Sequence, residues 1–146
     1  MNILFLHNNY PAQFKNLLPS LVSLDHSVCF MSMEGQGVSI KGVKHFLVKP
    51  KDANKKLPKE NIKMLRKKLL VSELFRAALC QLKVKGFTPD LVIYHSGWGI
   101  GTHLRTVFPD AKLAAFAEWW FSWNSIDLSF EPNSQYSPSA NLDTRI

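Results

Sequence analysis

Long apolar runs are absent from this 146-residue sequence, cysteine is nearly absent, and glycine is sparse. No apolar stretch approaches the roughly 18 residues that mark a membrane-spanning helix. The N-terminus has no basic segment ahead of its apolar run, and that run, Ile3-Leu4-Phe5-Leu6, is too short for the core of a signal peptide. Two cysteines, Cys29 in a predicted strand and Cys80 in a predicted helix, read as buried thiols of a reducing cytosol rather than as a disulfide. The seven glycines spell neither G-x-x-x-x-G-K-[ST] nor G-x-G-x-x-G, and Ser96-Gly97-Trp98-Gly99 lacks the leading glycine of a G-x-S-x-G elbow. A phosphate-loop enzyme and a stand-alone hydrolase are thereby disfavoured. His95 and His103 do not form a recognised ligand spacing and have no cysteine beside them, so no metal site is expected.

What is present is a soluble-protein composition, 46% hydrophobic and 20% charged, in a length suited to one domain with a real core. The net charge of +7 is concentrated. Between Lys41 and Lys68 eleven Lys or Arg residues face only Asp52 and Glu60. Such a stretch can remain a solvated loop or attract an anionic membrane. Nucleic acid is disfavoured, because no aromatic residue from Lys49 to Leu74 offers a base a stacking surface.

The chain alternates strand and helix signals. Ile3–Leu6 reads as a buried strand and His7-Asn8-Asn9 as a polar loop. A helix is predicted from Pro11 to about Leu24, with Pro19 expected to kink or shorten it. Strands are predicted at 27–32 and 43–48, with a turn at Gly35-Gln36-Gly37. A long helix follows, in which Ile62, Leu65, Leu69, Phe75, Leu79 and Leu82 share one face until Gly86 ends it. Leu91–Tyr94 is a buried strand, a short helix passes through Leu104 and Val107, and Lys112–Ala117 is the last strand. The implied fold class is α/β: an open, mostly parallel sheet with helices on both faces. Residues 1–124 read as one domain. Residues 125–146 are a Ser/Asn/Pro-rich extension ending in about one turn of a helix begun at Asn141 or Asp143. The sequence thus reads as part of a longer one.

Three strand ends collect unusual residues, and in a parallel sheet all three emerge at one edge. His7, Asn8, Asn9 and Tyr10 follow the first strand. His95 opens a loop in which Gly97, Trp98 and Gly99 can expose backbone amides to a phosphate or sugar hydroxyl. Either histidine can position a hydroxyl, exchange a proton, or simply cap its loop. Glu118 breaks the apolar run from Leu113 to Phe121. Burial there would raise its pKa for acid–base work, whereas backbone amides would instead hold it as a carboxylate. Trp119, Trp120, Phe121 and Trp123 can wall a sugar site, fill a core, or form an interface, including a homodimer interface if exposed.

Several of these segments resemble, in order, the pattern of one bacterial group of family 4 glycosyltransferases. His7-Asn8-Asn9-Tyr10-Pro11-Ala12-Gln13-Phe14 resembles its H-x-N-[FY]-P-x-Q-F opening. Gly86-Phe87-Thr88-Pro89-Asp90-Leu91-Val92 followed by His95-Ser96-Gly97-Trp98-Gly99 resembles G-F-x-P-D-[VL]-[IV]…H-x-G-W-G. Phe108-Pro109-Asp110-Ala111-Lys112-Leu113 is similar to [WF]-P-D-A-[RK]-L, and Phe116-Ala117-Glu118-Trp119-Trp120-Phe121 to [YF]-x-E-[FW]-[FWY]-[FY].

The resemblance implies the Rossmann-like, acceptor-side N-terminal half of a GT-B enzyme, hexosyltransferase-like and retaining. No cofactor would be held in this domain. The nucleotide-sugar donor would sit mainly in a C-terminal domain that is missing here, so this piece alone would be inactive. The acceptor would be a sugar or a lipid-linked sugar, and the location cytoplasmic, with peripheral contact at the inner face of the membrane. Many relatives carry a histidine after the strand that here spans 112–117. Glu118 stands in that neighbourhood, which leaves His95 and Glu118 as catalytic candidates and His7, Asn8, Asn9, Tyr10, Gly97, Trp98 and Gly99 as substrate-binding ones. The competing reading is a non-enzymatic Rossmann-like module that docks to a partner or an anionic membrane through residues 41–68. A flavodoxin-type domain is disfavoured by the lack of Ser/Thr in the loop after the first strand.

Overall fold

The computed structural model describes residues 1–35, 37–49 and 63–117, the side chains of 63–65 excepted. Glu118, the aromatic run 119–123, most of the lysine-rich stretch and the extension 125–146 lie outside the described residues.

The elements in chain order are β1 (Asn2–Leu6), a two-residue β2 (Asn9–Tyr10), a 3-10 turn (Ala12–Phe14), α1 (Leu17–Ser23), β3 (Ser27–Ser32), a two-residue β4 (Glu34–Gly35), β5 (Val43–Leu47), α2 (Lys63–Val84), β6 (Leu91–His95), α3 (Leu104–Val107) and β7 (Lys112–Phe116). The five longer strands form one parallel sheet in the order β5-β3-β1-β6-β7. Numbered among themselves they run 3-2-1-4-5, the doubly wound, Rossmann-like order. In such sheets ligands bind at the carboxyl ends of the strands where the order reverses. Here that reversal lies between β1 and β6. The short β2–β4 pairing ties the loop after β1 to the loop after β3.

Each face of the sheet has its own core. Leu4 and Leu6 of β1, with Cys29, Met31 and Val92, pack against Val71, Phe75, Leu79 and Leu82 of α2 and Leu104 and Val107 of α3. Ile3 and Phe5 point the other way and pack with Val28, Phe30, Tyr10, Phe14 and Leu18. Burial on both faces is why β1 is apolar without alternation. Coverage thins at β7, the edge strand, where Lys112, Ala114, Ala115 and Phe116 are exposed. Cys29 and Cys80 are both free thiols, and burial pushes the Cys29 thiol up from its ordinary pKa. Among the described residues no helix is long and apolar enough to cross a membrane.

Two expectations need correction. The helix predicted from Pro11 is instead a 3-10 turn at Ala12–Phe14 followed by α1 from Leu17. Pro19 is therefore in the first turn of α1, where backbone N–H groups have no intrahelical acceptor, so it breaks nothing. Leu69 does not share the buried face of α2. It is 55% exposed, and the buried stripe is Val71, Phe75, Leu79 and Leu82. The residue that turns inward beside Val71 is Ser72, whose hydroxyl donates to the Leu69 carbonyl at 2.8 Å. That bond satisfies a polar group which burial would otherwise penalise.

Candidate functional site

Register brings two histidines together at the point where strand order reverses. Leu6 of β1 pairs with Tyr94 of β6, so the next residues, His7 and His95, are neighbours across the strand ends. Their rings meet edge to face with centroids 5.1 Å apart. Both are buried, at 4% and 8% exposure.

The two imidazoles are oriented by the same local device. Asn9 donates its backbone N–H to Nδ1 of His7 at 3.0 Å, and Gly97 donates its own to Nδ1 of His95 at 2.9 Å. A neutral imidazole that accepts at Nδ1 carries its proton on Nε2 and is a donor there. The Asn9 carbonyl oxygen also lies 3.0 Å from Nδ1 of His7 and would accept a proton placed on that atom.

The loop after β6 folds back over this pair. At Gly97 a Cβ would come within 3.0 Å of Cε1 of His95, so the fold-back is tight. Trp98 follows with φ of 59°, the left-handed region, which is uncommon for a bulky residue. Its indole stacks on His95 at 4.2 Å and meets His7 edge-on at 5.3 Å. Gly99, with φ of 75°, passes so close to α2 that a Cβ would lie 2.6 Å from the Lys68 carbonyl oxygen. The Gly99 carbonyl accepts the Thr102 hydroxyl at 2.8 Å. Phe14 and Phe116 close the cluster, 5.6 Å from each other, with Phe14 6.1 Å from His7 and Phe116 6.3 Å from His95.

His7, His95, Gly97, Trp98 and Gly99 are thus brought together. Asn8 and Asn9 sit half-buried at the rim, joined by an amide contact of 3.3 Å, and the Asn8 carbonyl accepts the N–H groups of Met33 and Glu34 at 3.0 Å. Tyr10 is the exception. It is 1% exposed, its ring stacks on His45 at 3.9 Å, and its hydroxyl accepts the Ile40 N–H, so it belongs to the core on the Phe5 face and not to the cluster. The reason is register: as part of β2, Tyr10 turns inward over Phe30. Glu118 lies outside the described residues. Sequence reasoning missed Phe14 and Phe116 as cluster members. Phe14 falls within the helix predicted from Pro11, and Phe116 within the last predicted strand and at the head of the Phe116–Phe121 resemblance, and neither position marks it as a site residue.

Residues 24–146 match the model of the glycosyl transferase family 4 group. The chain belongs to that family. No curated protein and no solved structure gives a match. Membership in family 4 supports a glycosyltransferase-type function, and the five-stranded parallel sheet agrees with it. The family 4 match takes in β6, the Gly97–Gly99 loop and β7. The His7–Asn9 loop precedes it and reaches the site through the sheet.

Elsewhere in this family 4 domain, the Glu73 carboxylate bonds Arg76 at 2.7 Å and His103 at 3.1 Å, linking α2 to the start of α3. The Arg76 hydrogen bond, more than any other influence, holds Glu73 below the usual carboxylate pKa. Among the described residues no three His, Cys, Asp or Glu side chains gather closely enough to hold a metal ion.

Proposed function

We propose that this family 4 chain is the acceptor-side domain of a retaining glycosyltransferase of GT-B architecture. It transfers a sugar from a nucleotide-sugar to a sugar or lipid-linked acceptor. The donor nucleotide is held mainly by a C-terminal domain, and the residues described here need that domain for activity. The observation that carries this reading is the His7–His95 pair under Trp98 at the switch point of the sheet. This is the place where open α/β sheets bind ligands.

In this reading the Nε2–H groups of His7 and His95 donate to oxygens of the sugars or of the departing diphosphate. Donors fixed before the reaction stabilise the charge that builds as the glycosidic bond to phosphate breaks. Trp98 offers its indole to the apolar face of a sugar ring. The Gly97–Gly99 backbone and the Asn8 and Asn9 amides complete the polar rim. Glu118 is retained as the second catalytic candidate beside His95. A cytoplasmic setting goes with the free cysteines.

Radiolabelled sugar transfer tests the proposal, using the domain joined to a donor-binding C-terminal half and, in parallel, the 146-residue chain alone. Transfer is expected only from the joined protein, and His7→Ala or His95→Ala should lower it about 100-fold or more. Transfer by the chain alone would refute the half-enzyme reading. Full activity of both histidine variants would refute the site.

A further inference from the structure

The loop that carries Trp98 runs between two walls. On one side is the sheet, where a Cβ on Gly101 would collide with the ring of Tyr94. On the other is α2, where a Cβ on Gly99 would lie 2.6 Å from the Lys68 carbonyl oxygen. Ile100, between the two glycines, is 1% exposed and belongs to the core that α2 and α3 share. These contacts set how deep the loop lies. They are steric and apolar, and so have little directional preference.

The directional contacts come next along the chain. Thr102 bonds the Gly99 carbonyl twice, from its N–H at 3.3 Å and its hydroxyl at 2.8 Å. Leu104 donates its N–H to the Gly101 carbonyl at 3.2 Å, which makes residues 99–104 one hydrogen-bonded turn. His103, inside that turn, is tied to α2: its Nε2 lies 3.1 Å from Oε1 of Glu73. The other carboxylate oxygen, Oε2, accepts from Nε of Arg76 at 2.7 Å, which holds the carboxylate in place on the helix. Glu73 lies between one and two helical turns after Lys68. The same stretch of α2 therefore grips the turn at Gly99 and again at His103.

We infer that Glu73 is a positioning residue. Through His103 it fixes the turn 99–104 along α2, and through that turn it holds the Trp98 indole over His95 and His7. Because the indole meets the sugar in the function proposed above, Glu73 also governs transfer. The clause about transfer rests on that function; the positioning does not. Glu73 is about half exposed, and an ion pair so exposed adds little to global stability. Loss of the bond therefore moves the loop and leaves the fold. An imidazole with a hydrogen on Nε2 donates to an amide oxygen as well as to a carboxylate, so glutamine can replace Glu73 toward His103.

The intact chain tests this, with 5-fluorotryptophan in place of tryptophan and the Trp98 fluorine resonance assigned by its loss in Trp98→Phe. Glu73→Ala and His103→Ala should each shift or split that resonance. Diethyl pyrocarbonate should acylate His7 and His95 about three- to fivefold faster in both variants, the range an exposed ion pair supports. His45, packed between Tyr10 and Phe30, should react at the parent rate. Denaturation midpoints should stay near the parent's. Glu73→Gln should stay within about twofold of the parent acylation rate. An unchanged resonance and unchanged acylation in Glu73→Ala would overturn the positioning. Faster acylation of His45 in step with His7 and His95 would also overturn it, as general loosening. Glu73→Gln behaving like Glu73→Ala would remove the hydrogen bond to His103 as the cause. For the clause about transfer, the domain joined to a donor-binding half should lose about three- to fivefold in kcat with Glu73→Ala and recover it with Glu73→Gln. Displacement of Trp98 with kcat unaffected would leave the positioning standing and overturn the clause. Displacement of Trp98 in a joined protein whose parent transfers no sugar would support the positioning and count against the glycosyltransferase reading itself.

Discussion

The indole of Trp98 lies on the imidazole of His95, 4.2 Å between centroids and 28° from parallel. Its edge meets His7 at 5.3 Å, so one side chain covers both histidines while remaining 37% exposed itself. It does so from a left-handed backbone conformation, which costs a non-glycine residue roughly 1–2 kcal/mol. Strain of this kind persists where the surroundings enforce it, and here they are Gly97 against His95 and Gly99 against α2.

Covering by Trp98 predicts slow chemical modification of the two imidazoles. Trp98→Gly removes the indole and relaxes the backbone, so stability should change by no more than about 1 kcal/mol while both rings open to solvent. Diethyl pyrocarbonate should then acylate His7 and His95 at least about tenfold faster, read by mass spectrometry of peptides. Unaltered rates in the variant would mean that the indole is not what shields them.

Gly86 and Gly99 separate backbone conformation from close approach. Both have positive φ, at 84° and 75°, but a Cβ on Gly86 meets nothing within 4 Å, whereas one on Gly99 meets the Lys68 carbonyl oxygen at 2.6 Å. Gly86→Ala should cost about 1–2 kcal/mol, the left-handed penalty alone. Gly99→Ala should cost more than about 3 kcal/mol, because backbone must move as well. Urea denaturation of the two variants decides it; equal losses would show that the loop after β6 is not pinned to α2.

On α2, Phe75→Ala should destabilise by about 3–5 kcal/mol, since the ring is fully buried and leaves a cavity. Leu69→Ala should stay within about 0.5 kcal/mol, as for other exposed positions. A large loss at Leu69 would place that side chain back in the core.

The central strands β1 and β6 are legible in the sequence because interior strands of a parallel sheet read as continuous apolar runs, as Ile3–Leu6 and Leu91–Tyr94 do, whereas the edge strands β5 and β7 are partly exposed and carry no such run over their full length. The meeting of His7 with His95 was legible in outline, since parallel strands deliver their ends to one edge. What was not legible depends on rotation and register. Leu69 is four residues after Leu65, so spacing alone admitted it to the buried stripe. Only packing against the sheet fixes which turn of the face points inward. Tyr10 follows His7 and the asparagines directly, yet β2 pairing turns it into the core beside His45. Phe14 and Phe116 are about a hundred residues apart in sequence, and nothing local to either announces their contact.

His45 sets a pH dependence that can be assigned to one residue. Its ring lies flat on Tyr10 and edge-on to Phe30, and its Nε2 sits 2.8 Å from the Ser32 hydroxyl oxygen. That hydroxyl donates to the Glu34 carbonyl at 2.7 Å, so Nε2 is the donor to Ser32. Burial holds the His45 pKa below its ordinary 6.5. The unfolded chain therefore binds this proton more readily than the folded one. Stability from the neutral ring is complete above the unfolded pKa and is lost as pH falls from there toward the folded pKa. The urea midpoint should drop on going from about pH 7.5 to about pH 5.5, and the drop should be smaller in His45→Gln, which keeps a donor for Ser32 but cannot titrate. Because Ser32 and Glu34 lead to the β2–β4 pairing that holds the Asn8–Asn9 loop, the same acid titration should loosen that loop. Amide exchange at Met33 and Glu34, both bonded to the Asn8 carbonyl, should speed up at acid pH beyond the intrinsic rate in the parent protein and less so in His45→Gln. An identical pH profile in the two proteins would remove His45 from this role.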